Sequence, residues 1–126
     1  MMIATVWCVS LLCAGLCAAA QEAATPVIAC NLKAISPPER PRYNDLMHRL
    51  RASFRNRGEV RDGYTLNLNA NAISLREVAE WITMERRCCP FLTFQLSASG
   101  RQVNWVLKLT GPEGVKALLK TEFPAR

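Results

Sequence analysis

The sequence predicts a small α+β domain in which helices cover one face of a three-stranded, mainly antiparallel sheet. Apolar residues recur at helical spacing in three segments and alternate with polar residues in three others. These segments follow one another in the order α-β-α-β-β-α. Short strands with one apolar face need helices over that face to form a core, so a two-layer sandwich is the expected packing.

The first helix is expected soon after the domain begins. Ser36 and Glu39 have the spacing of a capping box, although Pro41 favours a regular start nearer Arg42. His48 lies among polar positions of this helix, so we interpret it as a solvated side chain. The apolar face of the helix consists of Tyr43, Leu46, Met47, Leu50 and Phe54.

A turn at Asp62-Gly63 leads into the first predicted strand, residues 64–69. The other two strands, residues 92–96 and 103–109, are expected to form a hairpin across Ser99-Gly100. Their aromatic residues, Phe94 and Trp105, are predicted to be core residues rather than a nucleic-acid stacking platform.

The second helix begins after Ser74, which has Glu77 at the capping-box position. It ends near Cys88, because Pro90 disfavours helical backbone at Cys89. Its predicted apolar stripe consists of Leu75, Val78, Ala79, Trp81 and Ile82. A turn at residues 110–113 then opens a final helix that carries Val115, Leu118 and Leu119.

The length of the chain allows one domain with a modest core. Its 126 residues, half of them apolar, are too few for a separate cofactor-binding module. The sequence contains no phosphate-binding glycine loop, zinc-protease helix or nucleophile elbow, and its single histidine excludes most catalytic triads. It therefore gives no positive sign of an enzyme, and we assign no catalytic residue.

The net charge of +6 arises from 16 Lys and Arg against 10 Asp and Glu. Such a balance can serve anionic partners, including nucleic acid and phospholipid headgroups. The arginines, however, are scattered over the predicted solvent faces of the helices. We interpret them as a solvated basic surface and expect no nucleic-acid partner.

Residues 1–20 are predicted to form a secretory signal peptide. Between Ile3 and Ala20 no residue is charged, and Ala18 and Ala20 suit signal peptidase cleavage after Ala20. Residues 21–29 are then a flexible lead-in, and residues 30–126 form the single domain. The protein is thus expected to be periplasmic or secreted, without stable membrane insertion. An uncleaved N-terminal anchor is the alternative, because 18 residues at ~1.5 Å each just span a bilayer.

Export determines how the cysteines are interpreted, because disulfides persist in an oxidising compartment. Removal of the leader leaves Cys30, Cys88 and Cys89. An odd number permits one disulfide and one free thiol, or three thiols on a soft metal. The negative end of a helix dipole opposes a thiolate at Cys88, so only Arg86, Arg87 or a bound metal could lower the thiol pKa.

Three states of these cysteines remain open. A Cys88–Cys89 disulfide would be strained, because adjacent Cα atoms are only ~3.8 Å apart. A bridge from Cys30 to one of the pair would close a loop of roughly 60 residues and stabilise the domain by about 4 kcal/mol. Three thiolates would suit Cu(I), Hg(II) or trivalent arsenic, or Zn(II) with a fourth ligand. Met84 and Glu85 lie one helical turn before the pair and could add ligands.

Five sequence blocks from Val27 onward carry a family resemblance: Cys30-Asn31-Leu32 with Ala34, Glu39-Arg40, Asp62-Gly63-Tyr64, ERRCCPFL at residues 85–92 and LTGPEGVK at residues 109–116. The Cys-Cys-Pro-Phe and Thr-Gly-Pro-Glu-Gly runs within the last two blocks are the specific ones. In these blocks the chain resembles a family of small uncharacterised bacterial proteins. The resemblance implies a shared fold and directs attention to Cys30, Cys88 and Cys89 without implying an activity. Relatives often carry histidine where Tyr43 stands, so a metal site that used this histidine would be impaired here.

The function expected from these observations is the binding of a soft metal or metalloid ion by Cys30, Cys88 and Cys89. One alternative is a structural or interaction module stapled by a disulfide. Another is a thiol redox protein, which the missing Cys-x-x-Cys spacing and the unfavourable helix end disfavour. Chelation and stapling both require the sulfur of Cys30 to lie close to the sulfurs of the pair.

Overall fold

The computed structural model describes residues 28–101 and 103–125. The helices and strands follow a short 3-10 turn at Leu32–Ala34, and they are α1 (Arg40–Ser53), β1 (Phe54–Val60), β2 (Gly63–Asn69), α2 (Leu75–Cys88), β3 (Thr93–Ser97), β4 (Asn104–Thr110) and α3 (Val115–Glu122). The predicted signal peptide and residues 21–27 of the predicted lead-in lie outside the described residues.

The four strands form one sheet in the order β1-β2-β4-β3, and all neighbours are antiparallel. The α+β class is therefore confirmed, but the prediction of three strands was wrong. The missed strand is β1, which begins at Phe54, the residue assigned to the end of the first helix. Most β1 side chains are exposed or half-buried, since an edge strand can be held by its hydrogen bonds to one neighbour. It therefore lacks the alternation that marks a half-buried strand.

The core lies between the helices and one face of the sheet. Tyr64 pairs with Leu109, and Leu66 pairs with Leu107, so the side chains of each pair share that face. All four residues are buried, and both α1 and α3 contact β2. On α2, the ring of Trp81 packs edge-on against Phe94 with ring centroids 5.9 Å apart. Phe94 and Trp105 are half-buried against this core, in agreement with their predicted place.

Helix α1 buries the predicted face. Tyr43, Leu46, Met47 and Leu50 are buried, and His48 is exposed. The helix starts at Arg40, between the two predicted starting points, and its first turn contains Pro41. This position is tolerated because the first N–H groups of a helix have no partner within the helix.

Helix α2 begins with the predicted capping box, in which Ser74 and Glu77 exchange side-chain and backbone hydrogen bonds. Its buried face differs from the predicted stripe, because Leu75 and Ala79 are exposed. The buried positions follow one another at intervals of three, four and three residues and are Val78, Trp81, Glu85 and Cys88. The packing of Trp81 against the sheet sets this rotation, which turns a carboxyl and a thiol inward.

Replacing Gly63 by alanine is expected to destabilise the domain by about 1–3 kcal/mol, because the added methyl group would overpack the β2–β4 contact. A Cβ at this position would lie 1.8 Å from the backbone oxygen of Leu109. Chemical unfolding measures the loss. Gly100→Ala is the control, since its Cβ would meet open space and only its positive φ costs free energy, about 1 kcal/mol. If Gly63→Ala lowered the free energy of unfolding by less than Gly100→Ala, the close approach of β2 and β4 at Gly63 would be contradicted.

Candidate thiol site

The three cysteines of the predicted mature chain meet at the C-terminal end of α2. Their sulfur atoms lie within 4.8 Å of one another. Cys30 and Cys89 form a disulfide with Cα atoms 4.8 Å apart, across 59 positions of sequence. Cys88 is a free, buried thiol. Of the three states left open by the sequence, the structure therefore has the bridge from Cys30 to one member of the pair.

The segment before α1, residues 30–39, is held on the end of α2 by the disulfide, a backbone hydrogen bond and an ion pair, and its apolar side chain Ile35 packs in the core. The backbone N–H of Asn31 donates to the carbonyl oxygen of Cys88 at 2.8 Å. This carbonyl is one of those that a helix end leaves without a partner inside the helix. The guanidinium of Arg87 donates to the carboxylate of Glu39 at 2.8 Å. Ile35, which lies between Asn31 and Glu39 in the chain, is fully buried in the core, so the segment from the disulfide to the start of α1 is anchored along its length.

The end of α2 separates the two neighbouring cysteines. The N–H of Cys89 still donates to the carbonyl oxygen of Glu85 at 2.7 Å, but its backbone has left the helical region, with φ −122° and ψ 72°. Pro90 accounts for this change, as the sequence predicted. Because the chain turns between them, Cys89 bonds to Cys30 while Cys88 stays on the buried face of α2.

A buried carboxyl and a buried phenol lie beside the sulfurs. The hydroxyl of Tyr43 donates to Oε2 of Glu85 at 2.7 Å, and Oε1 of Glu85 lies 3.2 Å from Sγ of Cys89. Burial raises the pKa of Glu85, although the hydrogen bond from Tyr43 opposes this shift. Burial and the neighbouring carboxyl also raise the pKa of Tyr43. In the disulfide state Cys89 has no S–H, so its contact with Glu85 is not a hydrogen bond.

The thiol of Cys88 is held in its protonated form. Burial, followed by the negative charges of Glu85 and Glu122, raises its pKa to about 11. The arginines that could have lowered it point elsewhere, because Arg86 and Arg87 are exposed and Arg87 pairs with Glu39. A cation bound at the sulfurs would be needed to remove this proton at neutral pH.

A pocket of about 290 Å³ opens beside the site between α1 and the end of α2. Cys30, which is partly exposed, is the cysteine among its lining residues, whereas Cys88 and Cys89 are fully buried. At the rim, Arg51 pairs with the carboxylate of Glu122. The lining residues are Cys30, Leu32, Tyr43, Asn44, Met47, Arg51, Glu85 and Glu122.

Sequence reasoning found the cysteines but missed the pairing of Tyr43 with Glu85. The sequence indicated Tyr43 only as part of the apolar face of the first helix, and Glu85 only as a possible metal ligand. The spacing from Val78 through Trp81 to Glu85 and Cys88 is helical, and it could have indicated that the carboxyl points inward. Met84, the other suggested ligand, packs against the hydrophobic core.

Comparison of the chain with protein-family models, curated proteins and solved structures finds no match. Among residues 28–101 and 103–125, none of the helices combines the length and the apolar character needed to cross a bilayer.

The pair of Glu39 and Arg87 gives a measurable pH dependence. The Arg87 guanidinium, together with Ser36, lowers the pKa of Glu39 from 4.5 to about 2. Because the pKa of Glu39 is lower in the folded than in the unfolded chain, its ionised carboxylate stabilises the fold. This stabilisation is complete above pH 4.5 and is lost as the pH falls through 2. Side-chain NMR titration should give a pKa near 2 for Glu39 and a value nearer 4.5 in Arg87→Ala. Arg86→Ala, the neighbouring control, should leave it unchanged. Titration of Glu39 near 4.5 in the wild type would contradict the pairing.

The disulfide is expected to contribute about 4 kcal/mol to the free energy of unfolding, because it closes a loop of roughly 60 residues in the unfolded chain. Urea unfolding of the double variant Cys30→Ala/Cys89→Ala, compared with the oxidised wild type, measures this contribution. The control Cys88→Ala removes a buried sulfur without removing a bridge and should cost about 1 kcal/mol. Equal losses in the two proteins would show that the bridge itself stabilises little.

Proposed function

We propose that the protein, with its disulfide reduced, binds one soft metal or metalloid ion through the thiolates of Cys30, Cys88 and Cys89. The observation that carries the proposal is the convergence of three sulfur atoms within 4.8 Å. Three thiolates at ~2.3 Å from one ion lie about 4 Å apart. The sulfurs of Cys30 and Cys89, which are bonded to each other in this structure, therefore have to separate after reduction, whereas the sulfur of Cys88 is already within reach of both. Thiolate ligands favour Cu(I), Hg(II) and trivalent arsenic over harder cations.

The surroundings of the sulfurs support such a site. Cys88 and Cys89 are fully buried, and burial limits the access of competing water to a bound metal. Cys30 borders the pocket and supplies an entrance for the ion. The carboxylate of Glu85, 3.2 Å from Cys89, is a candidate fourth ligand if the ion is Zn(II).

The oxidation state controls this proposed binding. Cys30 and Cys89 cannot act as thiolates while they are bonded to each other, so reduction has to precede uptake. The raised pKa of Cys88, about 11, means that the incoming ion displaces a proton. Binding of a metal cation such as Cu(I) or Hg(II) therefore releases protons and weakens as the pH falls. With arsenous acid the thiol protons leave as water together with its hydroxyl groups.

The second candidate function is that of a stapled structural or interaction module. It is favoured by the disulfide itself, which fastens the segment before α1 to the end of α2. In this case the oxidised form is the working state, and Cys88 serves only as a small buried side chain.

Arsenite titration of the reduced protein under anaerobic conditions separates the two candidates. Native mass spectrometry should show one arsenic per chain and the loss of three alkylatable thiols, whereas the oxidised protein should bind none. Cys88→Ala should weaken binding by at least about tenfold, because a two-thiolate site remains. Val78→Ala is the matched control, since it alters the same buried face of α2 but keeps all three sulfurs. If the reduced wild type did not take up one arsenic per chain, the ion-binding proposal would be rejected and the stapled module would be the remaining candidate.

A further inference from the structure

We propose that the Cys30–Cys89 disulfide exchanges with a small-molecule thiol that enters the adjoining pocket and attacks the sulfur of Cys30. This reaction is separate from the binding of an ion, because neither its reactants nor its products include a metal. The inference rests on three features of the described residues: unequal access to the two sulfurs, the position of Glu85, and the size and polarity of the pocket.

Access favours attack at Cys30. A thiolate breaks a disulfide by bonding to one of its sulfurs, and access helps to decide which one. Cys30 is partly exposed and lines the pocket, whereas Cys89 is fully buried and does not line it. Cys30 therefore receives the incoming sulfur, and Cys89 is the leaving group.

The reaction balances without a further reagent. The sulfur of the incoming thiol, as its thiolate, bonds to Sγ of Cys30. The Cys30–Cys89 bond breaks, and its electron pair goes to Sγ of Cys89. The proton that the incoming thiol gave up ends on Sγ of Cys89. One thiol and one disulfide are thus converted into one mixed disulfide on Cys30 and one thiol on Cys89, and a second thiol molecule could complete the reduction.

Glu85 offers the departing sulfur a partner. Its Oε1 lies 3.2 Å from Sγ of Cys89, while its Oε2 accepts the hydrogen bond from Tyr43. The disulfide sulfur has no hydrogen to donate, but the Cys89 thiol formed by the exchange does. Exchange at Cys30 thus converts a contact into a hydrogen bond at a buried position, where an unpaired polar group would cost most.

The pocket fits a polar small molecule rather than the surface of a protein. Its volume is about 290 Å³, near the lower limit for small-molecule sites. The walls combine the apolar side chains of Leu32 and Met47 with the polar residues Tyr43 and Asn44 and with charged residues of both signs. A thiol with amide and carboxylate groups, in the class of cysteine and short cysteine peptides, matches this mixture.

The first test locates the new bond. Oxidised protein is incubated with reduced glutathione in the presence of a metal chelator, quenched with acid and alkylated, and the peptides are mapped by mass spectrometry. Glutathione is expected on Cys30, and alkyl groups are expected on Cys89 and on Cys88, which is a free thiol from the start. Glutathione on Cys89 would overturn the proposal. So would a rate of disulfide loss that does not depend on glutathione concentration, because the reaction would then be limited by unfolding.

The second test blocks the pocket. Asn44 is exposed and lines the pocket, so Asn44→Phe should slow the exchange with glutathione by about tenfold. Asn71→Phe places the same ring at an exposed position that is not part of the pocket and should leave the rate unchanged. Leu32→Trp, at a residue 58% exposed, replaces Asn44→Phe if that variant does not fold. Equal rates in the wild type and in a folded pocket variant would overturn the assignment of the pocket.

Discussion

The attachment of the segment before α1 to the end of α2 is the constraint on which the site depends. The disulfide joins Cys30 to Cys89, the N–H of Asn31 pairs with the Cys88 carbonyl, and Glu39 pairs with Arg87. The covalent bond lowers the conformational entropy of the unfolded chain. The backbone hydrogen bond gives a partner to a carbonyl group that the end of α2 would otherwise leave unpaired. These contacts all join residues 30–39 to residues 87–89, so the disulfide is one of three links between the same two segments.

The rotation of α2 gives the same region its chemistry. Trp81 packs against Phe94 of the sheet, and this contact fixes which side of α2 faces inward. Glu85 and Cys88 follow on that side, so a carboxyl and a thiol are buried beyond the end of the predicted stripe, which contained only apolar residues between Leu75 and Ile82. Tyr43 on α1 then supplies the hydrogen bond that makes the burial of the carboxyl tolerable. The two helices are therefore held together by a polar contact as well as by apolar packing.

The two proposed reactions, ion binding and thiol–disulfide exchange, start from different oxidation states of the cysteines and so cannot occur at the same moment on one molecule. An ion needs all three thiols reduced, whereas exchange begins from the intact disulfide. A small thiol that opened the disulfide and then completed its reduction would produce the state that binds the ion. Cys30 is the common entrance in both proposals, because it borders the pocket while the other two sulfurs are buried.

The sequence alone determined the α+β class, the capping box that starts α2, the end of that helix before Pro90 and the cysteines that form the site. These features depend on local spacing, capping chemistry and the backbone preference imposed by proline, which a sequence expresses directly. Only the tertiary structure decided that Phe54 begins a strand, because an edge strand is held by hydrogen bonds to its neighbour rather than by a pattern of its own. It also decided which cysteine bonds to Cys30 and that Tyr43 meets Glu85, since both contacts join residues more than 40 positions apart, whose approach is set by the packing of α1 and α2.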